Sequence, residues 1–510
     1  MARQEVPRAP RGFRDPNFRP LTFIDPISIR KMRLMILLTE KLASRIPRLP
    51  LAGSRKIIIT ATLGAAAMAV ASVYVLTGKG PAAIENKVGL TKQKIASMLA
   101  DYTSFYRFPT EIEIDLTDAG KTIAAPVAAP VPAPGHEGSS KKVRAVLEYA
   151  FDPRLQDYME SLYKQYKPDY GAFVAMDATT GQVLSLVSFS TKPGPIGNLA
   201  LRATFPSASV FKVVTAAAAI ETKNYSANTI IPFNGANHTL YRNNVMKNQV
   251  TRWTRYPTLK TAFANSINTV FGKLGALNMT PAELKSYADR FGFNKPIPAD
   301  LPVQSGSAPV PEDPWERAET ASGYTRDNTM SPLQGAMIAA AVVNDGVMME
   351  PFIVRSVFTD EGKSIYKVEP KMAGVSVDAR TAAEIRELMK ETVIHGTSKK
   401  SFRGFFKHGK KYAALAQRIQ VGGKTGSLTG MDPPGKYDWF VGYGSDGSRK
   451  IAVAALSVHE KFWKVKSSYL ARMAIEKYFG EINAASSSNG MSASVDLQDG
   501  RAVASSSRQR

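Results

Sequence analysis

The stretch SVFKVVTAAAAIET, from Ser209 to Thr222, carries the strongest structural and chemical signal in this sequence. It follows Pro206, and its residues from Val213 to Ile220 are apolar on all sides, which is typical of a buried helix. A lysine three positions after a serine lies one helical turn away on the same face. Lys212 could therefore accept the proton of the Ser209 hydroxyl, and burial would favour the neutral lysine that a base requires.

The S-x-x-K spacing alone is weak evidence. A capping serine followed by a surface lysine is the alternative for this pair. Three other pairs have the same spacing: Ser139/Lys142, Ser161/Lys164 and Ser364/Lys367. The apolar helix that follows Ser209 distinguishes it from these three.

Two further motifs lie downstream. Ser266 and Asn268 form S-x-N within TAFANSINTVF, a pattern that also occurs at Ser226/Asn228 and Ser487/Asn489. Lys424, Thr425 and Gly426 form the single K-T-G of the chain, within VGGKTGSLTG. On a strand, this motif would place an ammonium and a hydroxyl on a cleft edge, where glycines let a substrate backbone approach. A glycine-rich turn is the alternative, whereas a P-loop is excluded because G-x-x-x-x-G is missing before the lysine.

The arrangement of elements predicts an α+β fold. Phe173 to Phe189 and Tyr437 to Val458 both have the pattern of a β-hairpin. Helical stretches lie between them, at Ser209 to Thr222 and Pro332 to Val343. The two ends of the domain should therefore form one antiparallel sheet with a helical block beside it.

The composition of the 510 residues is that of a globular chain without metal or thiol chemistry. There is no cysteine, so disulfides and iron–sulfur clusters are excluded. The five histidines have no metal-helix spacing, and the sequence predicts no metal and no cofactor.

The net charge of +23 is densest at the N-terminus, where residues 1–56 contain thirteen Lys or Arg and four Asp or Glu, a net of +9 that leaves +14 for the other 454 residues. An uncharged run from Ile57 to Thr77 follows, and 21 helical residues reach about 30 Å, the thickness of a bilayer core. An alanine-rich helix of a soluble domain is the alternative. Because basic residues flank this run on its N-terminal side, residues 1–56 are predicted to be cytoplasmic and the residues after the run to be exported. Membrane topology then explains the basic charge, and a nucleic-acid partner is not needed.

These patterns divide the chain into five segments: 1–56, a basic cytoplasmic segment; 57–77, a transmembrane helix; 78–142, a juxtamembrane segment and Pro/Ala-rich linker; 143–480, the globular domain; and 481–510, a disordered tail. Within the juxtamembrane segment, the apolar pattern from Leu90 to Tyr106 predicts a short helix.

The three motifs in the order S-x-x-K, S-x-N, K-T-G resemble those of the penicillin-binding proteins and serine β-lactamases, the penicilloyl-serine transferase family. The resemblance covers roughly Tyr149 to Phe479. Four phrases reinforce it: FVAMDATTGQVLSLVS, TMSPLQGAMIAAAVVNDG, HGT and DWFVGY. It implies a penicillin-binding transpeptidase fold like that of serine β-lactamases, with helices flanking an antiparallel sheet and an all-helical subdomain.

The resemblance also implies roles for individual residues. Four would be catalytic: Ser209 as nucleophile, Lys212 as general base, Ser266 as proton relay to the leaving amine, and Lys424 as the charge that biases the Lys212–Ser266 pair.

Four more would bind substrate: Asn268 through the substrate amide, Thr425 and Ser427 through its terminal carboxylate, and Gly426 through close backbone approach. The N–H groups of Ser209 and Ser427 would form the oxyanion hole.

The implied protein is a monofunctional peptidoglycan D,D-transpeptidase, anchored in the inner membrane with a periplasmic catalytic domain. Its expected partners are stem peptides ending in D-Ala-D-Ala, an acceptor amine, β-lactam antibiotics, the membrane and proteins of a cell-wall synthesis complex that maintains cell shape. A D,D-carboxypeptidase and a non-enzymatic β-lactam or muropeptide sensor are the alternatives. The E-D-x-x-F-x-x-H glycosyltransferase signature is absent from the sequence. Ile267 replaces the aspartate of S-D-N, and no evident glutamate could activate water for rapid deacylation.

Overall fold

The computed structural model describes residues 90–100, 108–116, 141–194, 196–405 and 417–489. The predicted cytoplasmic segment 1–56, the transmembrane helix 57–77 and most of the Pro/Ala-rich linker lie outside these residues. Among the described residues, none of the helices has the length and apolar character needed to cross a bilayer.

The described residues form twelve α-helices: α1 Lys92–Leu99, α2 Pro153–Tyr166, α3 Lys212–Lys223, α4 Arg242–Met246, α5 Leu259–Ala264, α6 Asn268–Lys273, α7 Pro281–Arg290, α8 Pro314–Ser322, α9 Pro332–Val343, α10 Ala379–Ile394, α11 Lys399–Phe402 and α12 Ser467–Asn489. Thirteen strands accompany them: β1 Glu111–Leu116, β2 Lys141–Tyr149, β3 Tyr170–Asp177, β4 Val183–Ser190, β5 Phe205–Pro206, β6 Thr329–Met330, β7 Val347–Met349, β8 Val354–Thr359, β9 Ser364–Lys367, β10 Met372–Val375, β11 Gln420–Met431, β12 Pro434–Ser445 and β13 Lys450–His459.

The central sheet has the antiparallel order β11-β12-β13-β3-β4. The first and last parts of the domain meet where β13 pairs with β3, from Ile451 opposite Asp177 to Val458 opposite Tyr170. Both predicted hairpins are present, as β3–β4 and β12–β13. The prediction of one sheet built from the two ends of the domain is therefore confirmed, and β11 with its K-T-G motif lies at the sheet edge.

Helices cover both faces of this sheet. Side chains alternate along β3, so Ala172 and Val174 pack into the core that contains α9, while Phe173 and Ala175 pack with α2 and α12. All twelve residues of α9 are buried, which explains why its sequence has no polar face. Between Arg242 and Ser322 the regular elements are helices, the predicted helical subdomain.

The segment before the predicted domain boundary is part of the same fold. The helix expected within Leu90 to Tyr106 is α1, where Leu99 is fully buried in the main core, and the Lys92 ammonium contacts Glu350 at 3.0 Å. Strand β1 pairs with β2 in a second sheet of order β1-β2-β8-β9. The boundary at residue 143 was wrong, because the alternating sequence EIEIDL of β1 buries its two isoleucines.

The predicted boundary at residue 481 was also too early. Helix α12 continues to Asn489, nine residues into the predicted tail. The sequence between Gly480 and Gly490 contains neither glycine nor proline, so nothing local ends the helix there. Residues 490–510 lie outside the described part of the chain.

Replacing Leu99 by alanine tests whether α1 belongs to the folded domain. We expect Leu99→Ala to lower the free energy of unfolding by about 2–5 kcal/mol, since it leaves a cavity in a closed core. Thermal unfolding measures the effect. Val146→Ala, at a side chain that is 38% exposed, is the control and should unfold close to wild type. Equal unfolding temperatures for all three proteins would contradict the assignment of α1 to this core.

Candidate active site

Ser209 lies on a short 3₁₀ turn, Ala208–Phe211, that leads directly into α3. Ala208 has φ +48°, a left-handed conformation that is unfavourable for alanine and needs support from its surroundings. Gly323 packs directly against this turn. A side chain there would clash, because its Cβ would lie 1.9 Å from the Ala208 carbonyl oxygen. Trp439 donates its indole N–H to the Pro206 carbonyl at 2.9 Å. The turn is therefore held on both sides.

Lys212 is fully buried, and its ammonium nitrogen has three oxygen neighbours. Nζ lies 2.8 Å from Ser209 Oγ, 2.8 Å from Asn268 Oδ1 and 2.5 Å from the Ser322 carbonyl oxygen. The amide and carbonyl oxygens can only accept hydrogen bonds. A neutral lysine would give them its two N–H groups, and its lone pair would then face the Ser209 hydroxyl.

The surroundings of Lys212 favour this neutral form. Burial lowers the pKa of Lys212 well below its ordinary value, and the nearby Lys424 cation lowers it further. The three neighbours of Nζ are uncharged, so none offsets the loss of hydration. The predicted serine–base pair thus has both the contact and the electrostatics for proton transfer.

Ser266 and Asn268 flank a sharp break between α5 and α6. Ser266 has φ +54°, and Asn268 is the first residue of α6. The Asn268 side chain accepts a hydrogen bond from Lys212 and donates one to the His238 carbonyl at 2.9 Å. The break turns both motif side chains toward the same buried space as Lys212.

Lys424 reaches this space from β11. Its Nζ donates to Ser266 Oγ at 3.1 Å and to the Thr425 carbonyl at 2.8 Å. Burial lowers the pKa of Lys424 to about 7. The structure therefore arranges two serine–lysine pairs. Among the hydrogen bonds of the described residues, none joins Ser266 to Lys212.

The remaining motif residues lie along the same edge. Gly426 is where β11 passes the nucleophile turn, since a Cβ there would lie 3.2 Å from the Ser207 carbonyl oxygen. Thr425 Oγ1 lies 2.5 Å from Thr397 Oγ1, and Ser427 is exposed next to them. A cleft of about 470 Å³ runs between these groups and Ser209.

All eight predicted site residues lie at this cleft or directly behind it. Lining residues outside the motifs are His238, Gly323, Tyr324, Thr397, Lys400, Ser401, Asp438, Lys466 and Ser468. The HGT phrase of the sequence could have indicated Thr397 as a site residue. No sequence pattern around His238 could have indicated that it lines the cleft. His395 of the same phrase is exposed and paired with Glu391 at 2.9 Å, in keeping with its lack of a proposed role.

Two of the competing S-x-x-K pairs can be compared in the structure, and neither has a buried lysine. Ser161 donates to the Tyr158 carbonyl, and Lys164 pairs with Glu160 at the surface. Ser364 and Lys367 lie on β9, where a separation of three places side chains on opposite faces. Ser139 lies outside the described residues.

The family model and the similar proteins point to the same family. Residues 171–476 match the model of the penicillin binding protein transpeptidase domain. The peptidoglycan D,D-transpeptidase PbpA of Mycobacterium tuberculosis is 29% identical over 349 residues, which are 61% of this chain and 66% of the relative. The PbpA of Mycolicibacterium smegmatis is 28% identical, over 57% and 62%. This chain thus spans slightly less than two thirds of the length of these relatives.

Solved structures agree with the fold. The imipenem acyl-enzyme of penicillin-binding protein A from M. tuberculosis has a TM-score of 0.53 at 26% identity, covering 66% of this chain and 80% of that one. The D,D-transpeptidase domain from Eggerthella lenta has a TM-score of 0.55 at 23% identity, covering 68% and 85%, and supports the fold alone. The family model covers more than half of the chain, and this chain therefore belongs to the penicillin-binding protein transpeptidase family.

Proposed function

We propose that this chain is a peptidoglycan D,D-transpeptidase that cross-links stem peptides through an acyl-enzyme on Ser209. The observation that carries the proposal is the buried Lys212, whose nitrogen lies 2.8 Å from the Ser209 hydroxyl among uncharged acceptors. The names of the relatives and the acyl-enzyme complexes of the M. tuberculosis protein support the same chemistry.

In the first half-reaction Ser209 Oγ attacks the carbonyl carbon of the penultimate D-Ala, and its proton passes to Lys212 Nζ. The carbonyl oxygen becomes an oxyanion, for which the Ser209 and Ser427 N–H groups are the proposed donors. The C–N bond then breaks, the terminal D-Ala leaves as an amine that takes up a proton, and an ester remains on Ser209. Atoms and charge balance without a cofactor.

Ser266 and Lys424 are the proposed route for the proton of the leaving amine, since Ser266 is hydrogen-bonded to Lys424 at 3.1 Å. A cationic Lys424 would also attract the terminal carboxylate of the donor. The Thr425 and Ser427 hydroxyls are its proposed hydrogen-bond donors, and Thr397 adds a third hydroxyl, 2.5 Å from that of Thr425.

In the second half-reaction an acceptor amine attacks the ester and forms the cross-link, while Ser209 regains its proton. Of the described residues that line the cleft, Asp438 is the single acid, and its carboxylate already accepts from the Ser467 N–H at 2.7 Å and lies 3.4 Å from the Lys466 ammonium. Activation of water by a carboxylate therefore has little support, which favours transfer to an amine over the D,D-carboxypeptidase alternative and favours a long-lived β-lactam ester.

The proposed location is the inner membrane. The support is the uncharged run from Ile57 to Thr77 behind a basic head, which predicts a single span with the catalytic domain in the periplasm. Such an anchor would keep the cleft near newly made peptidoglycan. A cell-wall synthesis complex and a part in cell shape belong to the same proposal.

Labelling with a fluorescent penicillin tests the nucleophile. We expect stable label on wild type and none on Ser209→Ala, because the Ser209 hydroxyl is the one paired with Lys212 and facing the cleft at the nucleophile position, whereas Ser266 is assigned to proton relay through Lys424. Ser161→Ala is the matched control from a competing S-x-x-K pair and should label like wild type. Fluorescence in a denaturing gel is the readout. Label retained on Ser209→Ala would contradict the proposal. In a separate assay, a pentapeptide substrate is incubated with an amine acceptor. Conversion of that substrate only to the free acid would favour the carboxypeptidase.

The pH dependence of acylation tests the charge of Lys424. Since the pKa of Lys424 is about 7, it is cationic below that pH and loses its charge above it. We expect the second-order rate of acylation by penicillin, which carries a carboxylate, to fall above about pH 7 in wild type. Lys424→Met should be about tenfold slower at low pH and should lack this fall. Stopped-flow measurement over the pH range gives both profiles, and identical profiles would argue against an electrostatic role.

Unfolding experiments test the burial of the same charge. The unfolded chain protonates Lys424 up to about pH 10.4, whereas the folded state releases that proton near pH 7. Wild-type stability therefore rises between these pH values relative to a variant without the group. We expect Lys424→Met to unfold at a temperature higher by a few degrees at about pH 7, with a difference that shrinks by about pH 10. Lys285→Met, at a surface lysine, should show no such trend, and a destabilised Lys424→Met at both pH values would refute the argument.

A further inference from the structure

Exposed aromatic and basic side chains are frequent in the part of the chain between α3 and α5. No acidic residue occurs from 222 to 282, although this stretch contains seven Lys or Arg. Trp253 is 72% exposed, Tyr241 60% and Tyr256 57%. We call residues 241–256 the aromatic–basic segment. Large aromatic side chains that stay exposed are candidates for a binding site.

Polar contacts hold this segment in its exposed position. The Asn234 side chain donates to the Gln249 carbonyl at 2.9 Å and accepts from the Thr254 hydroxyl at 2.9 Å. Phe233 and Arg255 exchange backbone hydrogen bonds at 3.0 and 2.9 Å. The Arg252 guanidinium lies 4.8 Å from the centre of the Trp253 ring. Trp253 is thus presented by a braced turn without being buried.

The same segment is joined to the active site through two residues. The Arg255 guanidinium donates to Asn237 Oδ1 at 3.0 Å, and the Asn237 carbonyl accepts from the N–H of Asn268 at 2.8 Å. The next residue, His238, lines the cleft and accepts from the Asn268 side chain. A polymer whose stem peptide occupies the cleft could therefore extend past His238 and Asn237 toward Arg255, two residues after Trp253.

We propose that the aromatic–basic segment binds the glycan strand of the peptidoglycan substrate outside the cleft. This inference rests on the proposed function. Sugar rings have apolar C–H faces that match Trp253 and Tyr256, and their hydroxyl and acetamido groups match exposed amides such as Asn243 and Gln249. The stem peptides carry free carboxylates, which the exposed Lys247 and Arg252 would attract, since this stretch of the chain contributes no acidic residue.

An anionic membrane surface is the competing occupant, because tryptophan, tyrosine and arginine also gather at lipid headgroups. The connection to Asn268 favours the glycan, since a lipid surface would have no need of a link to the substrate-binding asparagine. The pKa of the Asp313 carboxyl is lowered first by the backbone N–H of Glu316 and further by Arg242, at the other end of the segment, so Asp313 offsets part of the Arg242 charge.

Co-sedimentation of the full chain, in detergent, with purified peptidoglycan sacculi tests the proposal. We expect the apparent affinity to fall about tenfold for Trp253→Ala/Tyr256→Ala and to fall for Arg252→Glu, with the second effect smaller at high salt. Two matched controls should bind like wild type: Phe462→Ala, at an aromatic side chain 76% exposed elsewhere, and Lys285→Glu, at a surface cation elsewhere. Unchanged binding by the segment variants, or an equal loss in the controls, would overturn the assignment.

A second experiment distinguishes a membrane surface from a glycan strand as the occupant of the aromatic–basic segment. The full chain is reconstituted in anionic vesicles with brominated acyl chains, and the emission of Trp253 is taken as the difference between wild type and Trp253→Phe. Quenching of the Trp253 emission by the brominated lipids would overturn the proposal. A change in that emission when soluble glycan fragments are added, without quenching by the lipids, supports it. Penicillin labelling of the same variants should equal wild type. Loss of labelling at Ser209 would defeat the proposed enzyme, whereas loss of sacculus binding alone leaves that enzyme standing, so the two failures are distinguishable.

Discussion

The constraint on which this structure depends is the burial of two lysines without a carboxylate beside either of them. Lys212 and Lys424 are both fully buried, and their neighbours are hydroxyl, amide and carbonyl oxygens. Desolvation without a counter-ion moves each pKa downward, and each cation disfavours the other. The fold thus gives up stability at this point and obtains two amines that lose their proton at a lower pH than free lysine does.

The elements around the site are arranged to hold this unfavourable group together. Helix α3 begins at Lys212 and is buried from there to Ile220, and β11 brings Lys424 to the edge of a five-stranded sheet. Left-handed backbone at Ala208 and Ser266 aims the two serines, and such strain persists only where the surroundings determine it. Gly323 meets this need, since a side chain there would clash with the Ala208 carbonyl, and Gly426 lets β11 pass in tight contact with the same turn.

The same elements explain how a small cleft could serve a polymer. The chemistry needs only the space between Ser209 and the edge of β11, whereas a cross-linking enzyme must also hold the strand from which the stem peptide projects. The Asn237–His238 backbone contacts Asn268 on one side and leads to the aromatic–basic segment on the other. One continuous piece of chain would then both support Asn268 near the scissile bond and bind the polymer.

The sequence by itself determined the family, the α+β class and the pairing of Ser209 with Lys212, because a spacing of three residues on a helix is local geometry. Both hairpins, the helical character of α9 and the burial of α3 were likewise predicted from local residue patterns. Only the tertiary structure decided that Ser266 pairs with Lys424, 158 residues away, and that Thr397 joins Thr425. It likewise decided that α1 and β1 belong to the domain. Contacts of this kind depend on sheet register and core packing, which no spacing within one segment encodes.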